Sequence, residues 1–249
     1  MNRNRQLVVV ALGAITLYAP ATARAQQDGL VAHPNNYRVQ FENAWVRIIH
    51  VHIPGNADLA DHTHPPGVML HVYLNDANPI VFEHDGNPNT VTRPYVYARS
   101  YRVGRARPET HATINRFPGA SDYLRVELKT QGDVGLGQRI PAPPLTNATR
   151  AVTEVSNAMY RATRVTIAAR DSFVVTADSG RPAIIVALTE GIRAEGAAPL
   201  KLGQERFVDA GRRETLHNVG DAPQELLRVD FLTAPAAAPS TSPSLSRAP

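Results

Sequence analysis

Between Asp61 and Leu74 the chain reads DHTHPPGVMLHVYL, which sets His62, His64 and His71 within ten residues. Neutral imidazole is the commonest protein ligand for zinc, iron, copper and nickel. An H-x-H pair on a β-strand presents both rings on one face, because strand side chains alternate with period two. Their Cβ atoms then lie about 7 Å apart, close enough for both rings to converge on one ion. A metal centre needs a further ligand from elsewhere. The candidates are His71 and His111, the latter in PETHATIN. Alternation puts His71 on the same side as Met69. If Met69 faces inward, His71 is either a fourth ligand or a buried hydrogen-bonded residue. The chain has no cysteine, so no thiolate can act as ligand or nucleophile.

The elements that must position these residues read as short strands punctuated by Gly, Pro, Asn and Asp. VRIIHVHI (46–53), VMLHVYL (68–74) and YLRVELK (123–129) are β-rich and end at turn residues. RPYVYARSYR (93–102) places Tyr95, Tyr97, Arg99 and Tyr101 on one strand face. HDGNPN (84–89) is a turn by composition. Only 147–160 suggests a short helix. The chain also matches itself. With a shift of 114, Asn43, Arg47, Val51 and Val72 meet Asn157, Arg161, Val165 and Val186. With a shift of 103, Asn115 and Leu124–Val126 meet Asn218 and Leu227–Val229. The change in shift implies an excursion 11 residues longer in the first copy, within 77–104. Two copies of a β unit predict two tandem barrels or sandwiches rather than a solenoid.

The histidine pattern resembles the cupin superfamily. G-x6-HTHPPGVM followed by H-x3-N is similar to its two motifs, with His62 and His64 on the first and His111 and Asn115 on the second. The resemblance covers 37–130 directly and 159–233 through the repeat. It implies an all-β fold of two tandem cupin-type jelly-roll barrels, with both motifs at the mouth of the first. It also implies a divalent metal (Zn, Fe, Mn, Cu or Ni) on His62, His64 and His111, with His71 as a further candidate. Two features depart from the pattern. The usual glutamate falls on Val68 or Met69, and the glycine and proline before the second-motif histidine are displaced to Gly104 and Pro108. In the second copy Thr176, Asp178, Glu214 and Ile185 align with His62, His64, His111 and His71, so that copy reads as metal-free. His217 reads as a surface or packing residue.

Residues 1–25 carry a basic start, an apolar run and the small-x-small triplet Ala23–Arg24–Ala25. They are expected to be a cleaved export signal, with the mature protein periplasmic or secreted. Without them the net charge drops from +4 to +1, since only Arg3, Arg5 and Arg24 go. Charge therefore gives no support for a nucleic-acid or membrane partner. The expected organisation is a first barrel over 26–130, a proline-bearing linker over 131–153, a second barrel over 154–233 and a Pro/Ala/Ser tail over 234–249. The expected partner is a small organic ligand or substrate, with pairing into a homodimer implied by the resemblance. Three histidines leave open positions for oxygenase, isomerase or lyase chemistry, with Glu109 and Tyr97 as candidate bases. The alternative is a non-catalytic bicupin that binds a small molecule or metal.

Overall fold

The computed structural model describes residues 27–64, 66–84, 90–104, 108–130, 132 and 137–235. The expected signal over 1–25, the turn at 85–89 and all but the start of the tail lie outside these residues.

The first half is two facing antiparallel sheets. The larger has the order β1-β2-β9-β4-β7-β10, formed by Tyr37–Glu42, Val46–Ile53, Ser121–Leu128, Val68–Tyr73, Tyr101–Gly104 and Arg139–Ile140. The smaller has the order β3-β8-β5-β6, formed by Asp58–His64, Glu109–Ile114, Ile80–His84 and Thr90–Arg93. The second half repeats this plan. One sheet is β11-β12-β18-β14-β16 (Arg150–Ser156, Tyr160–Ile167, Gln224–Phe231, Ala183–Ala187, Glu205–Val208). The other is β13-β17-β15 (Ser172–Thr176, Arg213–Asn218, Ile192–Ala194). Among the described residues the fold is thus all-β apart from the single turn α1, Gly29–Ala32.

The two larger sheets pack on each other through one apolar cluster. This explains why β4 is buried at every position. Val68, Leu70 and Val72 join the cluster between the halves, so period-two alternation turns Met69, His71 and Tyr73 into the first half's own interior. Tyr73 packs there with Ile49, Val51, Ile80 and Tyr123.

The residues matched in the self-alignment hold equivalent places. Asn43 Oδ1 accepts from the Trp45 and Val46 N–H groups at 2.8 and 3.0 Å. Asn157 Oδ1 does the same for Met159 and Tyr160 at 2.9 and 3.0 Å. Arg47 pairs with Glu127 at 2.6 Å and Arg161 with Asp230 at 3.3 Å. The Asn115 amide donates to the Pro54 and Gly119 carbonyls, and that of Asn218 to Ile167, Ala168 and Ala222. The longer excursion of the first half is where β6 forms, a strand paired with β5. Among the described residues the second half's smaller sheet has no counterpart to it.

Three expectations change. The stretch 131–153 carries strand at 139–140 and again from 150, because β10 pairs with β7 and β11 pairs with β12. Between them Pro141, Pro143 and Pro144 lack the N–H groups a ladder needs. The helix suggested over 147–160 is strand β11 and its turn, since Asn157 locks the chain into β12. Tyr95, Tyr97, Arg99 and Tyr101 do not share a strand face. Pro94 follows directly on β6, and Arg99 takes a positive φ of 66°. Tyr95 and Tyr97 are exposed, whereas Tyr101 is buried between the halves.

Candidate metal centre

His62 and His64 lie on β3, and His111 lies opposite His62 on β8. The alignment of these two is made by a β-bulge between Leu59 and His62. The extra residue turns both histidines of the H-x-H pair inward toward His111. Ring centroids are 4.8 Å apart for His62 and His64, 4.9 Å for His62 and His111, and 5.1 Å for His64 and His111. One ligand atom from each ring lies within 4.8 Å of the others, and all three residues are buried.

Burial keeps these rings neutral. Desolvation is the largest cause lowering the pKa of His62, His64 and His111, and His111 is pushed down to about 3. For His64 the next cause is the positive charge of Arg125. A neutral imidazole is the form that binds a metal. The tautomer of His62 follows from its neighbours. Its Nδ1 lies 3.0 Å from the Ala60 carbonyl, which can only accept, so the proton sits on Nδ1. The lone pair on Nε2 then faces the Tyr37 hydroxyl at 2.9 Å. His111 Nδ1 is buried and has no hydrogen-bond partner among the described residues.

This donor set fits a divalent transition metal. Bonds of about 2.0–2.1 Å allow two nitrogens on one ion to stand at most about 4.2 Å apart. A modest inward movement of the rings, with Tyr37 turning aside, brings all three within reach. His62, His64 and His111 would hold the ion and leave its remaining positions open.

His71 is not brought into this cluster. It stands on β4 in the facing sheet, opposite Arg102 and Arg125 in register, with its ring beside Tyr123 at 5.7 Å. It does face inward with Met69, as alternation requires, and its Nδ1 is buried without a partner. Among the described residues a second set of donor atoms within 4.8 Å joins His84 and Glu109 to His111. His84 Nε2 is 3.5 Å from Glu109 Oε1. The sequence had assigned His84 to a turn. It is instead the last residue of β5, directly opposite His111, and the alternation of IVFEH was the available signal.

The segment before β1 covers the centre. Thr63 N–H donates to the Gln27 carbonyl at 2.9 Å, and the His33 ring meets that of His62 edge-on at 5.0 Å. A Cβ on Gly29 would stand 3.0 Å from His62 Cδ2 and 3.2 Å from His64 Cε1. Glycine is what lets the backbone lie against both rings.

The second half has no such centre among its described residues. β13 has no bulge, so Val175 rather than Thr176 stands opposite Glu214. The sequence register was therefore off by one here, and Thr176 and Asp178 point outward. Val175 and Ala177 fill the interior with Ile185 and Leu216, and Glu214 pairs with Arg206 at 3.0 Å. His217 is half-buried and opens onto a surface hollow with Arg193 and Glu195.

The fold, an antiparallel jelly roll with its histidines on the paired strands β3 and β8, is shared with solved structures. A bacterial pirin of Escherichia coli in complex with nickel(II) shares it with a TM-score of 0.57, at 12% identity over 80% of this chain and 91% of that one. Quercetin 2,3-dioxygenase of Acinetobacter baumannii does so with a TM-score of 0.53, at 8% identity over 76% and 75%. Salicylate 1,2-dioxygenase of Pseudoaminobacter salicylatoxidans gives 0.50, at 9% over 75% and 69%. No protein-family model and no curated protein matches the chain in sequence.

Proposed function

We propose that this is an exported two-barrel cupin whose first barrel holds one divalent transition metal on His62, His64 and His111 and oxygenates a small organic molecule. The observation that carries this reading is the group of three buried, neutral imidazoles with donor atoms within 4.8 Å of one another. The fold shared with a nickel-bound pirin and with two dioxygenases supports it. An ion so held supplies open positions for substrate oxygens and, if redox-active, for dioxygen.

The chain's own groups have separate tasks. Burial keeps the imidazoles unprotonated. Gly29 and its segment exclude water from one side. Glu109 and His84, at the pocket beside His111, are placed to take a proton from a substrate hydroxyl. Isomerase or lyase chemistry would use the same open positions. The second barrel has an interior closed by apolar side chains and serves as support. Export rests on residues 1–25, and pairing into a homodimer on the resemblance alone. A non-catalytic reading is favoured by one observation, the Tyr37 hydroxyl on the nitrogen of His62 that a metal would need.

Metal analysis of the mature chain, purified without a chelator or histidine tag, tests the reading. One equivalent of transition metal is expected. His62→Ala and His111→Ala should each abolish it, and His217→Ala should not. A wild-type chain without metal, not stabilised to heat by added metal, would refute the proposal. Metal without substrate-dependent oxygen uptake would favour the non-catalytic reading.

A further inference from the structure

Among the described residues the interior of the first half carries more positive charge than its carboxylates balance. Arg125 is 3% exposed and Arg93 5%. Both lie in the inner part of the barrel, and Arg102 points inward from β7 on the face shared with Gly104, away from Tyr101 and Val103 in the join. Glu127 is divided between Arg47 at 2.6 Å and Arg125 at 2.8 Å. The second contact is ionic but badly angled, so Arg125 Nε and Glu127 Oε1 both lack a hydrogen bond. Arg93 donates, among the described residues, to neutral oxygens, Ser121 Oγ at 3.0 Å and the Asn78 carbonyl at 2.9 Å. Among the described residues no carboxylate pairs with Arg93 or Arg102. The Nε of each of these three arginines, and Nη2 of Arg125, is buried without a hydrogen-bond partner among the described residues. Buried donors left unpaired are costly, and more so when charged. A divalent ion on neutral imidazoles would add to the excess, because the carboxylate position of the first motif is filled by Val68 or Met69.

A half-open pocket lies where this charge meets the histidines. Its cavity volume is about 70 Å³ and it opens to solvent; Arg93, Arg102 and Arg139 give its wall three positive charges against the one carboxylate of Glu109, and the neutral ring of His111 stands beside them. Phe82 and Val91 supply an apolar wall. Val91 and Arg93 come from β6, the strand that the second half lacks.

We propose that this pocket takes a small organic acid, with its carboxylate on Arg102, its carbon skeleton against Phe82 and Val91, and Arg93 and Arg125 adding charge from behind. An arginine fork matches a carboxylate in two parallel hydrogen bonds, and the free Nε–H of Arg102 can supply one of them. The direction in which the acid faces rests on the proposed metal at His62, His64 and His111. Its charge does not.

The test is calorimetric titration of the mature chain with benzoate, acetate and the uncharged benzamide, with metal content measured on the same sample. Benzoate is expected to bind at least about tenfold more tightly than benzamide. Arg102→Met should erase that preference while the metal content and the melting curve hold. Arg102→Lys, which keeps the charge but loses the fork, should weaken benzoate and leave benzamide unchanged. The inference is overturned if neither benzoate nor acetate binds, if benzoate and benzamide bind alike, or if the preference survives both Arg102 variants. A chain that prefers benzoate through Arg102 but holds no metal would sink the metal reading alone. A chain that holds metal without the preference would sink this inference alone.

Discussion

Acidifying the metal-free protein from about pH 6.5 toward pH 5 should remove several kcal/mol of stability through three imidazoles. Burial, the largest cause in each case, drives the pKa of His64, His71 and His111 down, His111 to about 3. In the unfolded chain all three titrate near about 6.5. Below that pH the unfolded state binds protons that the folded state refuses, so stability rises with pH and is lost as pH falls. The window opens at the unfolded value and extends down to each folded pKa, which for His111 means about pH 3. Each group contributes about 1.4 kcal/mol per pH unit inside the window. These three groups set a slope of about 4 kcal/mol per unit, to which His62, also lowered by burial, adds over a narrower window, a large share of the roughly 5–15 kcal/mol a domain possesses. Urea unfolding of the apoprotein at fixed ionic strength and a series of pH values measures this slope. His71→Leu removes one of the three groups and should lower it by about 1.4 kcal/mol per unit. A wild-type slope no greater than one group's share, or an unchanged slope in His71→Leu, would refute the account of buried neutral rings.

Glu225 is fully buried between the halves and accepts from Arg164 at 2.8 Å and Arg99 at 3.0 Å. Glu225→Ala leaves Arg164 with Glu154 alone and takes the carboxylate from Arg99, and should cost about 1.5–3 kcal/mol in chemical unfolding; a neutral effect would mean that the join does not depend on this pair. A Cβ on Gly104 would fall 2.6 Å from Met69 Cγ and 3.3 Å from His71 Cε1. Gly104→Ala should therefore destabilise by about 1–3 kcal/mol, and Met69→Ala in the same chain should recover part of the loss. A chain ending after Ile140 would expose Ile48, Leu70, Val72, Leu124 and Val126, all buried against the second half. At about 1.5–3 kcal/mol per side chain this exceeds what a marginal domain can lose. The fragment should appear as aggregate in size-exclusion chromatography, and a soluble monomer would count against the two halves sharing a core.

The sequence carried the strands and the shared face of His62 and His64, because alternation is local; it left His71 and His111 both open as the further partner until the motif resemblance pointed to His111. What it concealed came from pairings that no short window contains. His84 looked like the first residue of a turn until β5 was seen to end opposite His111. Tyr37 and Gly29 reach the centre because the segment before β1 lies across β3. The buried charge of Arg93, Arg102 and Arg125 is read only when three separate strands face one interior. Tyr101 was misplaced for the opposite reason, since a face drawn across Pro94 and the turn at Arg99 treats a broken segment as one strand.

The bulge in β3 shows how one residue can separate a reactive interior from an inert one. Both halves pair the start of this strand in the same way, Asp58 with Ile114 and Ser172 with His217. In the first half the extra residue then shifts the strand by one, and a one-residue slip exchanges the two faces of everything beyond it. His62 and His64 turn inward as a result. In the second half the unshifted ladder sends Thr176 and Asp178 to solvent and brings Val175 and Ala177 into a closed apolar core with Ile185 and Leu216. Placing histidines at 176 and 178 alone would therefore leave their rings outside. A centre in the second half would also need the bulge, and the apolar packing that forms in its absence is what opposes it. The two halves can share turn locks and a common sheet plan and still differ in chemistry, because the plan fixes where strands lie and the bulge decides which side chains they present.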